Sequence, residues 1–323
     1  MLWTPLHDRL QRILKQRSLL PSTARVLVAV SGGQDSLCLL KLLLDLQPKW
    51  SWELAIAHCN HRWQHDSGAV ELVRHLAQTW QLPYFEVTAE VVSLREAEAR
   101  QWRYEALKTI AATQGYGWIV TGHTASDRAE TLLYNLVRGS GSDGLQALAW
   151  RRELTPTIAL VRPLLEVSRA ETAQFCEAAG LTFWADPHNQ NLAYARNRIR
   201  LELLPYLKTH LNPQTETALA QTAELLQADV DCLEQTAAQL LHRSRHPNQP
   251  WLDRTLLQPA PLALQRRAVR QFLQTILPSA PNFEHIEKLV SLLNAPNHAQ
   301  TDPFPGGAIA RVEHPWICLE KRD

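Results

Sequence analysis

The stretch VAVSGGQDSLCLLKLL, residues 28–43, decides the fold, because a short apolar run enters a glycine- and serine-rich turn and an apolar helix leaves it. Gly32 and Gly33 allow the backbone to turn tightly and let a ligand approach the amide groups. The helix, predicted from about Ser36, directs the positive end of its dipole toward the turn. The hydroxyl groups of Ser31 and Ser36 add donors. The turn therefore predicts an anion site, most simply for phosphate.

This turn matches neither of two common phosphate-binding loops. No GK[ST] follows it, Lys41 lies a turn too far along the chain, and GxGxxG is absent. Asp35 would repel phosphates unless it held a Mg²⁺ ion shared with them. The turn alone leaves one alternative open, an ordinary Gly-Gly turn with a serine cap.

The first part of the chain alternates between strand-like and helix-like segments. Strands are predicted at 25–30, 52–60, 82–87 and 117–122, and helices at 37–46, 66–80 and 94–114 and from about Ser126. This βαβα rhythm predicts an α/β fold, a parallel Rossmann-like sheet covered by helices on both faces.

After Pro213 the pattern becomes mainly helical. An apolar seam runs along one long predicted helix through Leu219, Ala223, Leu226, Val230, Leu233, Ala237 and Leu240. Helices at 261–276 and 282–294 and a terminal hairpin follow. We predict two domains, 1–212 and 213–323. The seam is interpreted as domain core, with the interface of a homodimer as the alternative.

Composition excludes several classes of protein. The 323 residues are 45% hydrophobic with a net charge of +1, and no run approaches the ~18 apolar residues of a membrane helix. The five cysteines form no CxxC pair, so neither a disulfide framework nor a zinc or iron–sulfur site is expected. The sequence therefore predicts a cytoplasmic protein without a membrane partner.

Further motifs make a family resemblance specific. The strand–SGGxDS–helix unit resembles the pyrophosphatase loop (PP-loop) of enzymes that cleave ATP between its α and β phosphates. The other motifs are HCNHRW (58–63), AEARQWRYEAL (97–107), GHTASDRAET (122–131), RGSGSDGL (138–145), RPLL (162–165) and DPHNQNLAYARNRIRLELLP (186–205). In this order they resemble the tRNA(Ile)-lysidine synthetase family. Gln64 departs from the pattern, because the family has arginine there.

The resemblance implies a fold, a reaction and its partners. The fold would be of the adenine nucleotide alpha hydrolase type, with the second domain recognising tRNA. ATP would adenylate C2 of the wobble cytidine in a tRNA(Ile) with a CAU anticodon. Free L-lysine would then displace AMP to form lysidine, so that the codon AUA is read as isoleucine.

The resemblance also implies nucleotide-binding residues. Pyrophosphate would lie in the turn formed by Ser31, Gly32, Gly33, Gln34, Asp35 and Ser36. Asp35 would be catalytic and hold Mg²⁺, and His58, Arg103 and His123 would contact ATP. For Arg103 the alternative is a solvated helix arginine paired with a nearby glutamate. His58 and His61 are not expected to bind metal, because no carboxylate or cysteine completes a site.

Asp127 and Glu130 are the candidates for lysine binding. Three residues apart on a helix, they share a face, and paired acids there could hold an ammonium group and accept its proton. Spacing alone favours acidic residues placed at a helix N-terminus, and only the whole motif reverses this preference. Asp127 could instead serve the metal, so both roles stay open.

Arginines are the candidates for tRNA binding. Arg196, Arg198 and Arg200 form a basic cluster, in which Arg196 and Arg200 share a helical face. Other arginines could extend this patch: Arg138, Arg151, Arg152, Arg162 and Arg169, with Arg243, Arg245, Arg266, Arg267 and Arg270 in the second domain.

Three other functions agree less well with the sequence. A thiolating tRNA enzyme of the same superfamily would depend on paired cysteines, which the sequence lacks. An amidotransferase-type synthetase would need a glutaminase domain, for which the chain after Pro213 is too short. A non-catalytic RNA-binding protein is hard to reconcile with intact SGGQDS and GHTASDRAET motifs, and it would consume no ATP.

Overall fold

The computed structural model describes residues 3–62, 67–90, 96–185 and 190–321. These form two compact units, the first ending at Leu226 and the second beginning at Gln227. Gln64 and positions 186–189 of the DPHNQ motif lie outside the described residues.

The first unit is built on a six-stranded sheet with the order β3-β2-β1-β4-β6-β5. Its strands are β1 (Arg25–Ala29), β2 (Glu53–Asn60), β3 (Tyr84–Thr88), β4 (Trp118–Thr121), β5 (Arg151–Thr155) and β6 (Ile158–Val161). Neighbouring strands pair in parallel except β5 and β6, which pair antiparallel. The predicted α/β fold with a parallel sheet is therefore confirmed, apart from one antiparallel edge strand.

The helices of this unit include those that the sequence pattern predicts after β1, β2, β3 and β4, and others that it does not predict. They are α1 (Pro5–Gln16), α2 (Gln34–Trp50), α3 (Ser67–Thr79), α4 (Glu96–Gln114), α5 (Ala125–Val137), α6 (Ser142–Leu145), α7 (Arg169–Ala178), α8 (Ala195–Arg198) and α9 (Leu204–His210). A π-helical turn, Ile199–Leu203, joins α8 to α9.

Alternate residues of β1 pack into different cores, because successive side chains of a strand point to opposite faces. Val26 and Val28 join the apolar cluster that contains Leu39 of α2. Leu27 joins the cluster on the other side, with Leu107 of α4. Burial on both faces explains why β1 reads as an unbroken apolar run.

The order of the strands places a crevice at the end of β1. From β1 the chain runs outward to β2 and β3 on one side and to β4 and β6 on the other. Ligands of such sheets bind where the order reverses, beyond the carboxyl ends of the strands. The two sides approach closely there: a Cβ atom on Gly122, after β4, would lie only 2.8 Å from the carbonyl oxygen of Asp35.

The sequence pattern did not predict the antiparallel strand β5. Its first three residues, Arg151, Arg152 and Glu153, are all exposed. A charged edge strand lacks the apolar pattern of a central strand, and such charges protect an open sheet edge from pairing with another chain.

The second unit combines helices with a small antiparallel sheet of order β7-β9-β8. Its other elements are β7 (Trp251–Asp253), α11 (Arg254–Leu257), α12 (Leu262–Gln274), α13 (Phe283–Ser291), a 3₁₀ turn (Leu292–Asn294), β8 (Ala308–Glu313) and β9 (Trp316–Lys321). The predicted terminal hairpin, β8–β9, is confirmed. The three-residue strand β7 was missed because it is too short to show a pattern.

Helix α10 (Thr215–Ser244) contains the change from one unit to the next. The predicted boundary, 212/213, lies just before α10, whereas the compact units divide inside it. Its first turns are tied to the first unit, since Glu216 accepts a hydrogen bond from Ser126 at 2.6 Å and Glu224 accepts one from Arg128 at 2.6 Å.

The apolar seam of α10 is largely covered within the chain. Ala223 and Ala237 are fully buried, and Val230 is 3% exposed. This burial favours the interpretation as domain core. Among the residues that the structure describes, no helix is both long and apolar enough to cross a membrane.

Candidate active site

The turn after β1 is held closed by its own serines. The hydroxyl of Ser36 donates to the carbonyl of Gly33 at 2.8 Å, and the N–H of Ser31 donates to Ser36 Oγ at 3.2 Å. Helix α2 begins at Gln34, slightly before the predicted start, with Gly33 as its N-cap. The predicted residues therefore form one turn at a helix N-terminus, an arrangement that favours anions.

Gly32 is required at its position for two reasons. Its φ of +87° lies in the left-handed region, which side chains other than glycine rarely adopt. A Cβ atom there would also lie 3.3 Å from Cβ of Ala69. Its carbonyl accepts a hydrogen bond from the N–H of Trp184 at 2.8 Å, which ties the turn to the segment after α7.

One guanidinium group joins the three predicted carboxylates. The Nε of Arg169 donates to Asp35 Oδ2 at 3.1 Å and its Nη2 to Asp127 Oδ1 at 2.7 Å. Its Nη1 donates to Glu130 Oε1 at 3.0 Å. The structure thus brings the acid of the turn and the two acids of α5 around Arg169, a residue that the sequence only suggested as part of an RNA patch.

Arg200 completes this group, which we call the acid cluster: Asp35, Asp127, Glu130, Arg169 and Arg200. Arg200 donates through Nε and Nη2 to the two oxygens of Glu130 at 2.7 and 2.8 Å. It lies in the π-helical turn, and such turns often occur at functional sites. Three carboxylates and two guanidinium groups leave one negative charge in excess.

The other two predicted RNA-binding arginines lie away from the acid cluster. Arg196 and Arg200 both face α5, where the guanidinium carbon of Arg196 lies 5.5 Å from the centre of the Tyr134 ring. Arg138 approaches the same ring to 5.2 Å. Arg198 is exposed and donates to the carbonyl of Leu192 at 2.7 Å. The three arginines are therefore not one patch, because Arg200 points into the protein.

The pKa values of the acids respond to both burial and the arginines. Burial raises the pKa of Asp127, but Arg169 and a hydrogen bond from Thr124 outweigh it and hold the pKa below its ordinary value. For Asp35, burial outweighs the charge of Arg169, and the pKa is raised. Burial lowers the pKa of Arg169, but the three carboxylates raise it by more than burial lowers it. The pKa is therefore above its ordinary value, and Arg169 is charged.

Two of the three histidines at this sheet edge have lowered pKa values, and the third contacts the backbone. Burial, with the charge of Arg162, lowers the pKa of His123 to about 3, and Nδ1 of His123 lies 2.8 Å from the hydroxyl of Thr121. His58 is buried, and its Nδ1 lies 2.8 Å from the carbonyl of Val30. Burial and Arg103 lower the pKa of His61 to about 4. His58 thus contacts the backbone just after β1 and does not project from an open surface.

A positive region lies beside the turn, at the ends of β2 and β4. The charge of Arg103 lowers the pKa values of both His61 and His123, which places Arg103 near these strand ends. Arg162, which the sequence suggested as part of the RNA patch, is only 2% exposed and donates to the carbonyl of Ala149 at 2.6 Å. These cations can attract an anion to the sheet edge, but Arg162 is too buried to meet RNA.

Two cysteines that are distant in sequence meet in the fold. Cys38 and Cys176 are fully buried and hydrogen-bonded to each other, and this bond, with burial, raises the pKa of Cys38. The thiol of Cys176 also donates to the carbonyl of Gln34 at 3.5 Å. A buried thiol with a raised pKa, such as Cys38, is a poor nucleophile. The hydrogen bond with Cys38 lowers the pKa of Cys176, but the side chain of Cys176 is fully buried and has no access to a substrate. The cysteine pair is therefore a packing contact beneath the turn.

Comparison with known proteins agrees with this geometry. Residues 3–207 match the model of the PP-loop domain, and residues 252–314 match that of the TilS substrate binding domain. A tRNA(Ile)-lysidine synthase from Nostoc sp. is 59% identical, covering 99% of this chain and 98% of that relative. The chain belongs to the tRNA(Ile)-lysidine synthase family. One from Synechocystis sp. is 53% identical, covering 98% of both chains.

Membership of the tRNA(Ile)-lysidine synthase family confirms the family and enzyme class that the motifs predicted, an ATP-dependent ligase. Among solved structures, the U34-tRNA thiolase NcsA of Methanococcus maripaludis with its [4Fe-4S] cluster resembles the chain with a TM-score of 0.58. The two are 15% identical, and the match covers 69% of this chain and 78% of that one. This likeness supports the fold alone.

Helix α7 supplies two residues of the site whose contacts the sequence did not predict. Arg169 is the first residue of α7, and the hydroxyl of Thr172 donates to Asp35 Oδ1. A usable signal was present, because Ser168 and Glu171 form a capping box shortly after the RPLL motif, which itself follows β6. A helix start at that place must lie at the same sheet edge as the turn.

Proposed function

We propose that this protein makes lysidine in tRNA(Ile) with a CAU anticodon. It would adenylate C2 of the wobble cytidine with ATP, and free L-lysine would then displace AMP, so that AUA is read as isoleucine. One observation supports this proposal most directly: Arg169 bonds the acid of the phosphate-binding turn and both acids of α5. A site for cleaving a nucleotide and a site for an ammonium group are therefore adjacent.

Release of pyrophosphate requires that negative charge be neutralised at the turn. The N-terminus of α2 and the arginines beside it, including Arg103, supply fixed positive charge. His123, with a pKa of about 3, is uncharged at neutral pH and can hydrogen-bond the nucleotide without adding charge. We assign Ser31–Ser36 to the phosphates and the strand ends to the rest of ATP.

Asp35 suits the predicted Mg²⁺ ion as a single carboxylate ligand. Within the described ranges, no group of three or more His, Cys, Asp or Glu residues could hold a metal alone. Mg²⁺ is commonly bound by one or two carboxylates with the oxygens of a nucleotide completing its shell, so this site fits an ion that arrives with ATP. When bound, the ion would neutralise the charge of the leaving pyrophosphate.

Asp127 and Glu130 are suited to the ammonium group of lysine. They lie one turn apart on α5, and the side chain of Glu130 is only 4% exposed. The lowered pKa of Asp127 keeps it ionised, which makes it a better counter-ion than proton acceptor. We therefore assign ammonium binding to the pair and place less weight on proton removal by Asp127.

The tRNA would approach over the outer end of α5. Tyr134 lies one helical turn beyond Glu130 and carries Arg138 and Arg196 against its ring. Beyond it, Leu136 and Val137 are 53% and 78% exposed. Aromatic and arginine side chains are common partners of unpaired RNA bases, so this surface can deliver a cytidine toward the acid pair. The division into a catalytic and a tRNA-recognition domain belongs to the same proposal.

The thiolating alternative is disfavoured by the cysteines. Cys38 and Cys176 are the pair that meets, and both are fully buried with Cys38 hard to ionise. Cys232 is exposed but lies in the second unit, on α10. The predictions of a cytoplasmic location and of a homodimer await experiment.

The proposal is tested by a reaction with purified protein, ATP, Mg²⁺, L-lysine and a tRNA(Ile) transcript with the CAU anticodon. Mass spectrometry of the nucleosides should show lysidine, and AMP and pyrophosphate should appear in equal amounts. Omission of lysine, or replacement by ornithine or arginine, should abolish the product. Failure to form lysidine, or transfer of sulfur instead, would refute the proposal.

A further inference from the structure

The acid pair that we assign to lysine already has donors on all its oxygens. Asp127 Oδ1 accepts from Arg169 at 2.7 Å, and Asp127 Oδ2 accepts from the N–H of Thr124 at 2.8 Å. Glu130 Oε1 accepts from Arg169 and Arg200, and Oε2 accepts from Arg200. A carboxylate oxygen can accept more than one hydrogen bond, but an ammonium group added beside two guanidinium groups meets their like charge, so it binds best where it takes the place of one of them.

Arg169 is the donor that is easier to displace. Arg200 binds Glu130 through two parallel hydrogen bonds, the strong bidentate arrangement of arginine and carboxylate. Arg169 makes one bond to each of three carboxylates instead. A ligand that replaces Arg169 at Asp127 and Glu130 breaks two single bonds and leaves the bidentate pair intact.

The backbone of Arg169 is fixed between the two sites. Its carbonyl accepts a hydrogen bond from the side chain of Gln34 at 2.8 Å, and its N–H donates to Ser126 Oγ at 3.1 Å. Gln34 belongs to the turn and Ser126 to α5. Movement of the side chain alone can therefore transfer the guanidinium from the acids of α5 toward the turn, where its Nε already bonds Asp35.

We propose that Arg169 is a positioning residue that couples nucleotide binding to lysine binding, an inference that rests on the proposed function. A phosphate in the turn attracts the guanidinium, because arginine matches phosphate in charge and in geometry. Its departure exposes Asp127 Oδ1 and Glu130 Oε1 to the ammonium group and removes a like charge from its neighbourhood. Lysine then binds tightly only after the nucleotide has bound.

This coupling must be reciprocal, because two ligands that affect one another do so by the same factor in equilibrium binding. Isothermal titration calorimetry of the full-length protein measures it directly, with L-lysine titrated in the absence and presence of Mg²⁺ and α,β-methylene-ATP. We expect the nucleotide analogue to raise the affinity for lysine by about tenfold, and lysine to raise the affinity for the analogue equally.

The deciding variant is Arg169→Gln. Without the guanidinium, lysine should bind without nucleotide about as tightly as it binds the wild type with nucleotide, and the enhancement should vanish. The matched control is Arg9→Gln, since Arg9 pairs with Glu171 at 2.6 Å and so also anchors α7 but lies outside the acid cluster. This control should keep the wild-type coupling, which separates the proposal from mere loosening of α7.

Several outcomes would overturn the proposal. Lysine affinity that does not depend on nucleotide in the wild type would refute the coupling, while lysidine formation in the same preparation would leave the proposed function standing. Lysine binding that Arg169→Gln does not strengthen in the absence of nucleotide would also refute it. If that variant does not fold, Arg169→Lys decides: its single ammonium reaches fewer carboxylates, so coupling must fall below the wild-type value, and unchanged coupling refutes the role. Absence of lysidine would remove both proposals together.

Discussion

Each unit contains a cluster of arginines and carboxylates, and the two clusters differ in their balance of charge. This difference distinguishes a candidate binding site from a structural contact between helices. In the second unit, Glu234 accepts hydrogen bonds from Arg270 at 2.6 Å and from Gln271 at 2.8 Å, and it lies 2.9 Å from Arg267. These residues come from only two helices, α10 and α12, and one acid serves two arginines. The Glu234 cluster therefore joins two helices with every acidic oxygen committed.

The acid cluster of the first unit has the opposite balance. Its members come from the turn, from α5, from the start of α7 and from the π-helical turn, and acids outnumber arginines. Collecting unlike charges from four separate segments, with negative charge in excess, costs stability unless a positive ligand uses it. The excess of acid, and not the number of ion pairs, is the feature that suits this cluster to the cationic ligand that we propose.

The largest expected effect is that of Asp127→Asn. Loss of this charge should lower the rate of lysidine formation by about 10²–10⁴-fold, because the ammonium group loses a counter-ion. The amide oxygen can still accept the capping hydrogen bond of Thr124, but the amide NH2 then faces the guanidinium of Arg169 in place of an acceptor. The melting temperature should therefore fall, and circular dichroism checks that the variant stays folded. Steady-state assays with lysine as the varied substrate provide the measurement.

The contrast between the acid cluster and the Glu234 cluster fails if loss of Glu234 also lowers the rate. Glu234→Gln removes the acid there and should leave the rate near that of the wild type, while lowering stability. A comparable loss of rate in Glu234→Gln would show that acid excess is not the distinguishing feature.

Asp35→Asn should lower the rate of ATP cleavage by about 10²–10³-fold. The amide keeps the shape of the side chain but removes the charge that we assign to the Mg²⁺ site. Release of AMP and pyrophosphate in the presence of tRNA is the readout. Because Asp35 has no role in ammonium binding, the affinity for lysine measured with the nucleotide analogue should change less than in Asp127→Asn, and an equal loss would contradict the division of roles.

Glu224→Gln should lower the free energy of unfolding by about 1–3 kcal/mol. Glu224 accepts hydrogen bonds from Arg128, whose side chain is 1% exposed, and from Trp150. Urea unfolding at pH 7 measures the loss. The matched variant Glu234→Gln should cost less, because the partners of Glu234 are more exposed.

The same residue predicts a pH dependence. Burial raises the pKa of Glu224, but hydrogen bonds from Arg128 and Trp150 outweigh it and hold the pKa below its ordinary value. The stabilisation is therefore complete above the unfolded pKa of about 4.3 and is lost as the pH falls through the lower folded value. The stability difference between wild type and Glu224→Gln should shrink below about pH 4. A difference that stays constant down to pH 3 would contradict the assignment.

The smallest expected effect is that of Tyr134→Ala, which should weaken tRNA binding by about tenfold through loss of one stacking surface. Tyr134→Phe keeps the ring and should retain most of the affinity. Arg25→Gln, which breaks an exposed pair with Glu53 at the first residue of β1, provides the matched control and should change the affinity less. Filter binding at fixed salt measures all three, and equal losses in Tyr134→Ala and Arg25→Gln would contradict a specific surface on α5.

Most of the fold could be read from the sequence because its apolar periods are strong. Strands β1 to β4 are short, largely apolar runs, the helices between them carry the pattern of 3.6 residues, and the turn at Ser31–Ser36 is specified by its glycines. Strand β5 could not be read, since its exposed charges carry no apolar alternation.

The acid cluster was predictable only in part. Asp35, Asp127 and Glu130 stand in motifs, but Arg169 lies inside a capping box, which predicts a helix start and not which side chains that start meets. Arg200 was assigned to RNA because helical spacing shows which residues share a face but not which neighbour that face meets. Only the packing of α5 against the π-helical turn reveals that this face is turned inward.

The capping role of Asp127 has a practical consequence for engineering. One oxygen of this carboxylate is bound to the backbone and hydroxyl of Thr124, so its orientation is set by the helix start and not by any substrate. A residue without a side-chain oxygen at 127 would lose that anchor. Libraries designed to accept a different amine should therefore leave position 127 unchanged and vary positions 130 and 200, whose side chains bind each other and lie beside Arg169 and Asp127.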